Sequence, residues 1–252
     1  MKKAITTLGI FLIIAIMVNA FYAFYVDPQI VVFRETASIV GGTLPRNFFV
    51  IIKDVEQQVC IMLLLFGLLL CFSRLYQINQ HRYLFDIDLL PKLTDLDQLD
   101  SALTELSELP EDLLQTPIVQ ILSGSLRRFQ VTKNIESAAA SIEPAMQTML
   151  VRYENDMSVI RYIVWAVPSI GFLGTVRGIG QAMAEAETAV AGNIGPMTAS
   201  LGTAFNSTFV ALIISLILMF MVSAIQASQE KELISVQEYV ERYLISRITK
   251  LV

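Results

Sequence analysis

Cysteine, histidine and charge are all scarce in this chain. Its 252 residues include two cysteines, Cys60 and Cys71, and one histidine, His81. That excludes a secreted disulfide scaffold and leaves no Cys/His set with metal-ligand spacing. Only 16% of residues are charged, with a net charge of -5, so the basic face of a nucleic-acid binder is missing and no nucleic acid is expected as partner. Gly171, Gly174 and Gly178 are followed by no Gly-Lys-Ser/Thr, so the phosphate loop of an ATP-driven transporter is missing as well. No nucleophile can be grouped with a base and an orienting side chain. The chain therefore does not read as an enzyme, and nothing in it asks for a cofactor or a metal.

Apolar residues are abundant, at 54% of the chain, and mean hydropathy is +0.59. Residues 188–229 contain no Asp, Glu, Lys or Arg, a run longer than the ~20 residues a spanning helix needs. The pattern predicts an all-α integral membrane protein with four transmembrane helices at 4–26, 48–73, 162–184 and 197–226. Lys53, Asp54 and Glu56 fall in the outer turn of the second span, near the interface. Between the first two spans, 27–47 reads as an outer loop containing Asp27-Pro28 and Gly41-Gly42. Fourteen of the eighteen Lys and Arg lie at 1–4, 74–161 and 227–252, which places both termini in the cytoplasm. Met1-Lys2-Lys3 before an apolar stretch also fits a signal peptide, but no small-x-small cleavage site follows, and Phe21 to Tyr25 fit an interfacial anchor better. The chain thus divides into two N-terminal spans (1–73), a cytoplasmic helical domain (74–160), a second pair of spans (161–226) and a C-terminal cytoplasmic helix (227–252).

The stretch 74–161 carries thirteen acidic and eight basic residues and is punctuated by Pro91, Pro110, Pro117 and Pro144, which mark helix starts. Leu93, Leu96, Leu99, Leu103 and Leu106 recur at helical spacing, as do Leu113, Val119, Leu122, Leu126 and Phe129, and a soluble helical hairpin is expected. Leu233, Val236, Val240, Leu244, Ile248 and Leu251 step by three or four, so the fourth span should run on as one helix of roughly 80 Å at about 1.5 Å per residue. A helix opened by Pro144 should likewise continue into the third span. The last two spans thus extend into a cytoplasmic helical bundle.

Two small-residue faces stand out. Pro168, Gly171, Gly174, Thr175, Gly178 and Ala182 fall in one stripe of the third span, and Ser200, Ala204, Thr208, Ala211 and Ser215 in one stripe of the fourth. Small residues let helix backbones approach in lipid, where no hydrophobic drive joins helices. The same faces also fit the walls of a narrow polar pathway, with the Thr175 and Thr208 hydroxyls as hydrogen-bonding groups. Neither helix holds a carboxylate or histidine between Arg161 and Glu185 or between Glu187 and Glu230. A proton path through hydrocarbon generally uses an ionisable group at depth, so another subunit would have to supply the acid.

The run from Pro168 through Gly171, Gly174, Thr175 and Gly178 to Ile179, followed by Ala204-Phe-Asn-Ser-Thr208-Phe-Val-Ala211-Leu212, resembles the paired core of the MotA/TolQ/ExbB proton-channel family. The resemblance covers 165–225, together with the large cytoplasmic insertion and the extended last helices. It implies a homopentamer in the bacterial inner membrane that encloses two copies of a single-transmembrane-helix partner of the MotB/TolR/ExbD kind. The partner supplies the channel aspartate, and flow of protons or sodium ions drives rotation of one against the other. By the same resemblance Thr175 and Thr208 face the channel and Pro168 kinks the third span. Pro168, Gly171, Gly174, Gly178, Ala204, Ala211 and Ser215 are expected to line the channel with them. Two positions depart from the family pattern: Thr203 stands where one branch has a glutamate, and Arg177 replaces an apolar or aromatic residue. Arg177 fits either a side chain snorkelling or pairing with Glu185 or Glu187, or an electrostatic gate at the outer channel mouth. The functions left open are an ion-channel subunit of a rotary, ion-motive-force-driven motor and a non-conducting membrane scaffold that docks partners through its cytoplasmic helices. A secondary transporter is weaker, since no inverted repeat is visible.

Overall fold

The computed structural model describes residues 2–40, 47–90 and 98–251. Every regular element among them is helical. Among the described residues four helices are long and apolar enough to cross a membrane: Ile5–Phe33, Val55–Phe85, Ser158–Ala184 and Gly195–Lys250. Gly41, Gly42, Pro91, Leu93 and Leu96, which carried part of the sequence argument, lie outside the described residues.

The chain forms two compact units, one from 1–71 with 159–222 and the other from 72–158 with 223–252. The first unit begins with α1 (Lys2–Phe21), a π-helical turn (Tyr22–Val26) and α2 (Asp27–Val40). The expected outer loop starting at Asp27 is therefore helix, at least to Val40. Its physical reason lies at Pro28, which lacks an N–H and would clash with the carbonyl four residues back. The wider π turn, in which the Asp27 N–H reaches Tyr22 O, carries the helix past it. The second span also differs from expectation. α3 (Phe48–Ile51) is a separate single turn, and α4 (Val55–Gln80) starts after a break. Gln58 N donates to Asp54 O (3.1 Å) and Asp54 N to Gln57 Oε1 (2.8 Å), so Asp54 is the residue on which α4 opens, with Gln57 reaching back as in a capping box. The buried Tyr22 hydroxyl donates to Ile52 O at 2.7 Å, tying the π turn to that break.

α10 (Ser158–Ala184) stays helical through Pro168. A short α11 (Ala186–Val190) leads to α12 (Gly195–Val240), which continues through a π turn (Glu241–Ile245) into α13 (Ser246–Leu251). The long final helix expected from the sequence is present. The helix expected to run from Pro144 into the third span is instead two, because α9 (Ile142–Asp156) ends at Met157, where φ is -84° and ψ is -4°. In the core of the first unit, Cys60, Val167, Ala211 and Leu218 are fully buried among Val18, Tyr22, Val26, Phe66 and Ile163.

The second unit holds α5 (Leu99–Ser107), α6 (Glu111–Leu114), α7 (Pro117–Thr132), α8 (Ile135–Ala139) and α9, a bundle of more elements than the expected hairpin. Pro117 takes the first helical position of α7 and Pro144 lies in the first turn of α9, where the missing N–H has no partner to lose. Leu122, Leu126 and Phe129 of α7 are buried with Leu233, Val236, Val240, Leu244 and Ile248 of the C-terminal helix in one core. Each such aliphatic side chain taken from water stabilises the unit by about 1.5–3 kcal/mol.

Candidate channel seam

α10 and α12 meet along the two small-residue faces. Gly171, Gly174, Gly178 and Ala182 are buried on α10, and Ala204, Ala211 and Ser215 on α12. A Cβ at Gly178 would stand 2.8 Å from both Cβ and N of Ala204. One at Gly174 would stand 2.5 Å from Ser207 Cβ and 3.2 Å from Glu56 Cγ, and one at Gly171 would collide with Ala211 Cβ. These three positions have no room for any side chain, so glycine sets the helix separation. Pro168 and Ser200 are only half-buried, and the Ser200 hydroxyl donates to Glu185 Oε2 at 2.9 Å.

Thr175 and Thr208 are half-buried and their hydroxyls are bonded directly to each other across the seam. Thr175 Oγ1 is also 3.1 Å from Ala204 O and 3.3 Å from Gly171 O, and Thr208 Oγ1 is 3.3 Å from Gly171 O. Two hydroxyls carry two hydrogens and four lone pairs. One hydrogen joins the threonines and the other goes to a carbonyl, which leaves oxygen lone pairs as the free valences. The pair thus offers acceptors and suits a cation, a hydronium ion or a donating side chain.

On α4 the fully buried Gln57 donates from Nε2 to Ser207 Oγ (3.2 Å), and Ser207 donates to Thr203 O (2.9 Å). Arg177 pairs with neither Glu185 nor Glu187. Its Nη2 lies 2.7 Å from Glu56 Oε2 and 3.7 Å from Asp54 Oδ1. The Arg177 side chain is 40% exposed against 17% for Asp54 and 14% for Glu56. Sequence reasoning put these carboxylates at the interface and missed their contact with α10. The available signal was the Lys53-Asp54-x-Glu56 charge cluster at the head of an apolar run, which needs a buried counter-charge. Among the described residues no group of His, Cys, Asp and Glu has metal-site geometry. The model of the MotA/TolQ/ExbB proton channel family matches residues 113–238, half of the chain. Nothing matches among curated proteins or among solved structures.

Proposed function

The chain belongs to the MotA/TolQ/ExbB proton channel family, a family of channel-type membrane subunits, and we propose that it is the proton-conducting subunit of a rotary motor. In this reading five copies enclose two copies of a single-transmembrane-helix partner in a bacterial inner membrane, with both termini cytoplasmic. The partner's aspartate carries the proton past Thr175 and Thr208, whose free lone pairs accept from the protonated carboxyl or from water. Pro168, Gly171, Gly174, Gly178, Ala204, Ala211 and Ser215 line the path or hold its walls together, and Arg177 gates its outer mouth. The divisions 1–73, 74–160, 161–226 and 227–252 serve as anchor, cytoplasmic domain, channel pair and cytoplasmic tail.

The observation that carries this reading is the hydroxyl pair. Two threonines from two apolar helices are bonded to each other beside three glycines that admit no Cβ. Packing alone needs the glycines but not the hydroxyls. The mass of the intact complex, extracted from its native membrane in mild detergent, tests the assembly. Five copies of this chain with two of an acid-bearing single-span protein are expected. A monomer or dimer without such a partner overturns the motor and leaves the scaffold.

A further inference from the structure

We infer that Glu56 is a proton-accepting group of this chain's own ion path, with Arg177 as its exchangeable counter-ion. The inference rests on the channel reading and deepens it. Glu56 lies outside the matched residues 113–238, so membership of the family assigns it no role.

The charge balance carries the argument. Two carboxylates, Asp54 and Glu56, share one guanidinium, and the neighbouring Lys53 pairs with neither. With both acids ionised, these three groups carry one negative charge in excess. Both acids are largely buried, and Asp54 Oδ2 is buried with no hydrogen-bond partner. The Arg177 contact on Glu56 Oε2 is close in distance but not aligned as a hydrogen bond. An uncompensated buried charge is costly, and one proton removes the excess. When Glu56 takes it, an O–H bond forms on the carboxylate, Arg177 keeps Asp54 as its partner and the cluster becomes neutral. Release of the proton restores the Glu56 pair.

Position makes this relevant to transport. Glu56 Cγ approaches Gly174 and the adjoining Gln57 bonds Ser207. The next residues along α10 and α12 are Thr175 and Thr208, about 100° round each helix. The carboxylate and the threonine pair thus lie at one level of one seam. The titratable or charged groups around Glu56 are Arg177 from α10, Asp54 before its own helix, Cys60 one turn on, and Tyr22 of the first span through Asp54. α12 contributes the neutral Ser207.

The test uses the complex purified with its partner and reconstituted in liposomes. Glu56→Gln, which keeps size and removes the acid, should lower proton flux at least tenfold with the complex mass unchanged. Labelling wild-type complex with dicyclohexylcarbodiimide, which attacks protonated carboxyls in apolar surroundings, provides a second readout that needs no variant. Mass mapping should find Glu56 modified. Wild-type flux retained in Glu56→Gln, or no label on Glu56, overturns the inference and leaves the channel standing. A wild-type complex that conducts nothing overturns both.

Discussion

Gly178 and Gly180 stand two residues apart on α10 and predict opposite responses to one methyl group. A Cβ at Gly178 meets Ala204 backbone at 2.8 Å, whereas at Gly180 it meets nothing within 4 Å. Gly178→Ala should therefore destabilise the first unit by about 1–3 kcal/mol through overpacking. Gly180→Ala should leave the unit as stable or more so, by up to about 1 kcal/mol of helix propensity. Thermal unfolding in one detergent separates the two. At this scale the small-residue seam was legible, because a 3.6-residue period brings Gly171, Gly174, Gly178 and Ala182 to one face without any knowledge of the partner helix. The partner of Arg177 was not. Glu185 and Glu187 are near in sequence, but eight residues along a helix are about 12 Å away, while Glu56 arrives from a different helix. Nothing in a one-dimensional pattern encodes that contact.

Helix ends and inter-helix polar contacts set the elements of the second unit. α7 ends at Lys133 in the left-handed region, at φ 51°, with its N–H on Phe129 O at 2.7 Å. Glycine adopts that conformation without the Cβ penalty, so Lys133→Gly should raise stability by about 0.5–1 kcal/mol in a denaturant titration. The next helix, α8, opens on Asn134, whose Oδ1 accepts from Glu136 N at 2.8 Å, a cap that Asn134→Ala would remove. Between α9 and α12 the Tyr153 hydroxyl donates to Glu232 Oε2 at 2.5 Å. Burial, first, and then the Glu232 and Asp156 charges push the Tyr153 phenol well above its ordinary range, so it keeps its proton and remains a donor. Tyr153→Phe leaves the half-buried carboxylate without its donor and should cost about 1–3 kcal/mol, read as a lower melting temperature. The leucine period found α5, α7 and the C-terminal helix. It missed the break at Met157 and the helix through Asp27-Pro28, because both depend on local backbone geometry. A lone Pro reads as a stop unless a π turn absorbs it.

Over the whole molecule, the apolar residues that one copy leaves exposed are concentrated on the spans. Trp165, Phe172 and Leu173 of α10 and Phe209, Leu216 and Phe220 of α12 are all more than half exposed, as expected of surfaces that meet lipid or other chains. Four spans and a long last helix could be read from composition and length alone, since hydrocarbon thickness dictates them. The internal acid could not, because it sits outside the pair of helices that carries the motif. The central claim is that this seam passes protons, and flux into liposomes carrying the complex, wild type against Thr208→Val, tests it most directly. Valine keeps the shape and removes the hydroxyl that Thr175 bonds. The account predicts proton uptake in the wild type and a loss of at least tenfold in the variant, with the complex intact in both. Equal uptake in the two, or none in the wild type, would contradict it.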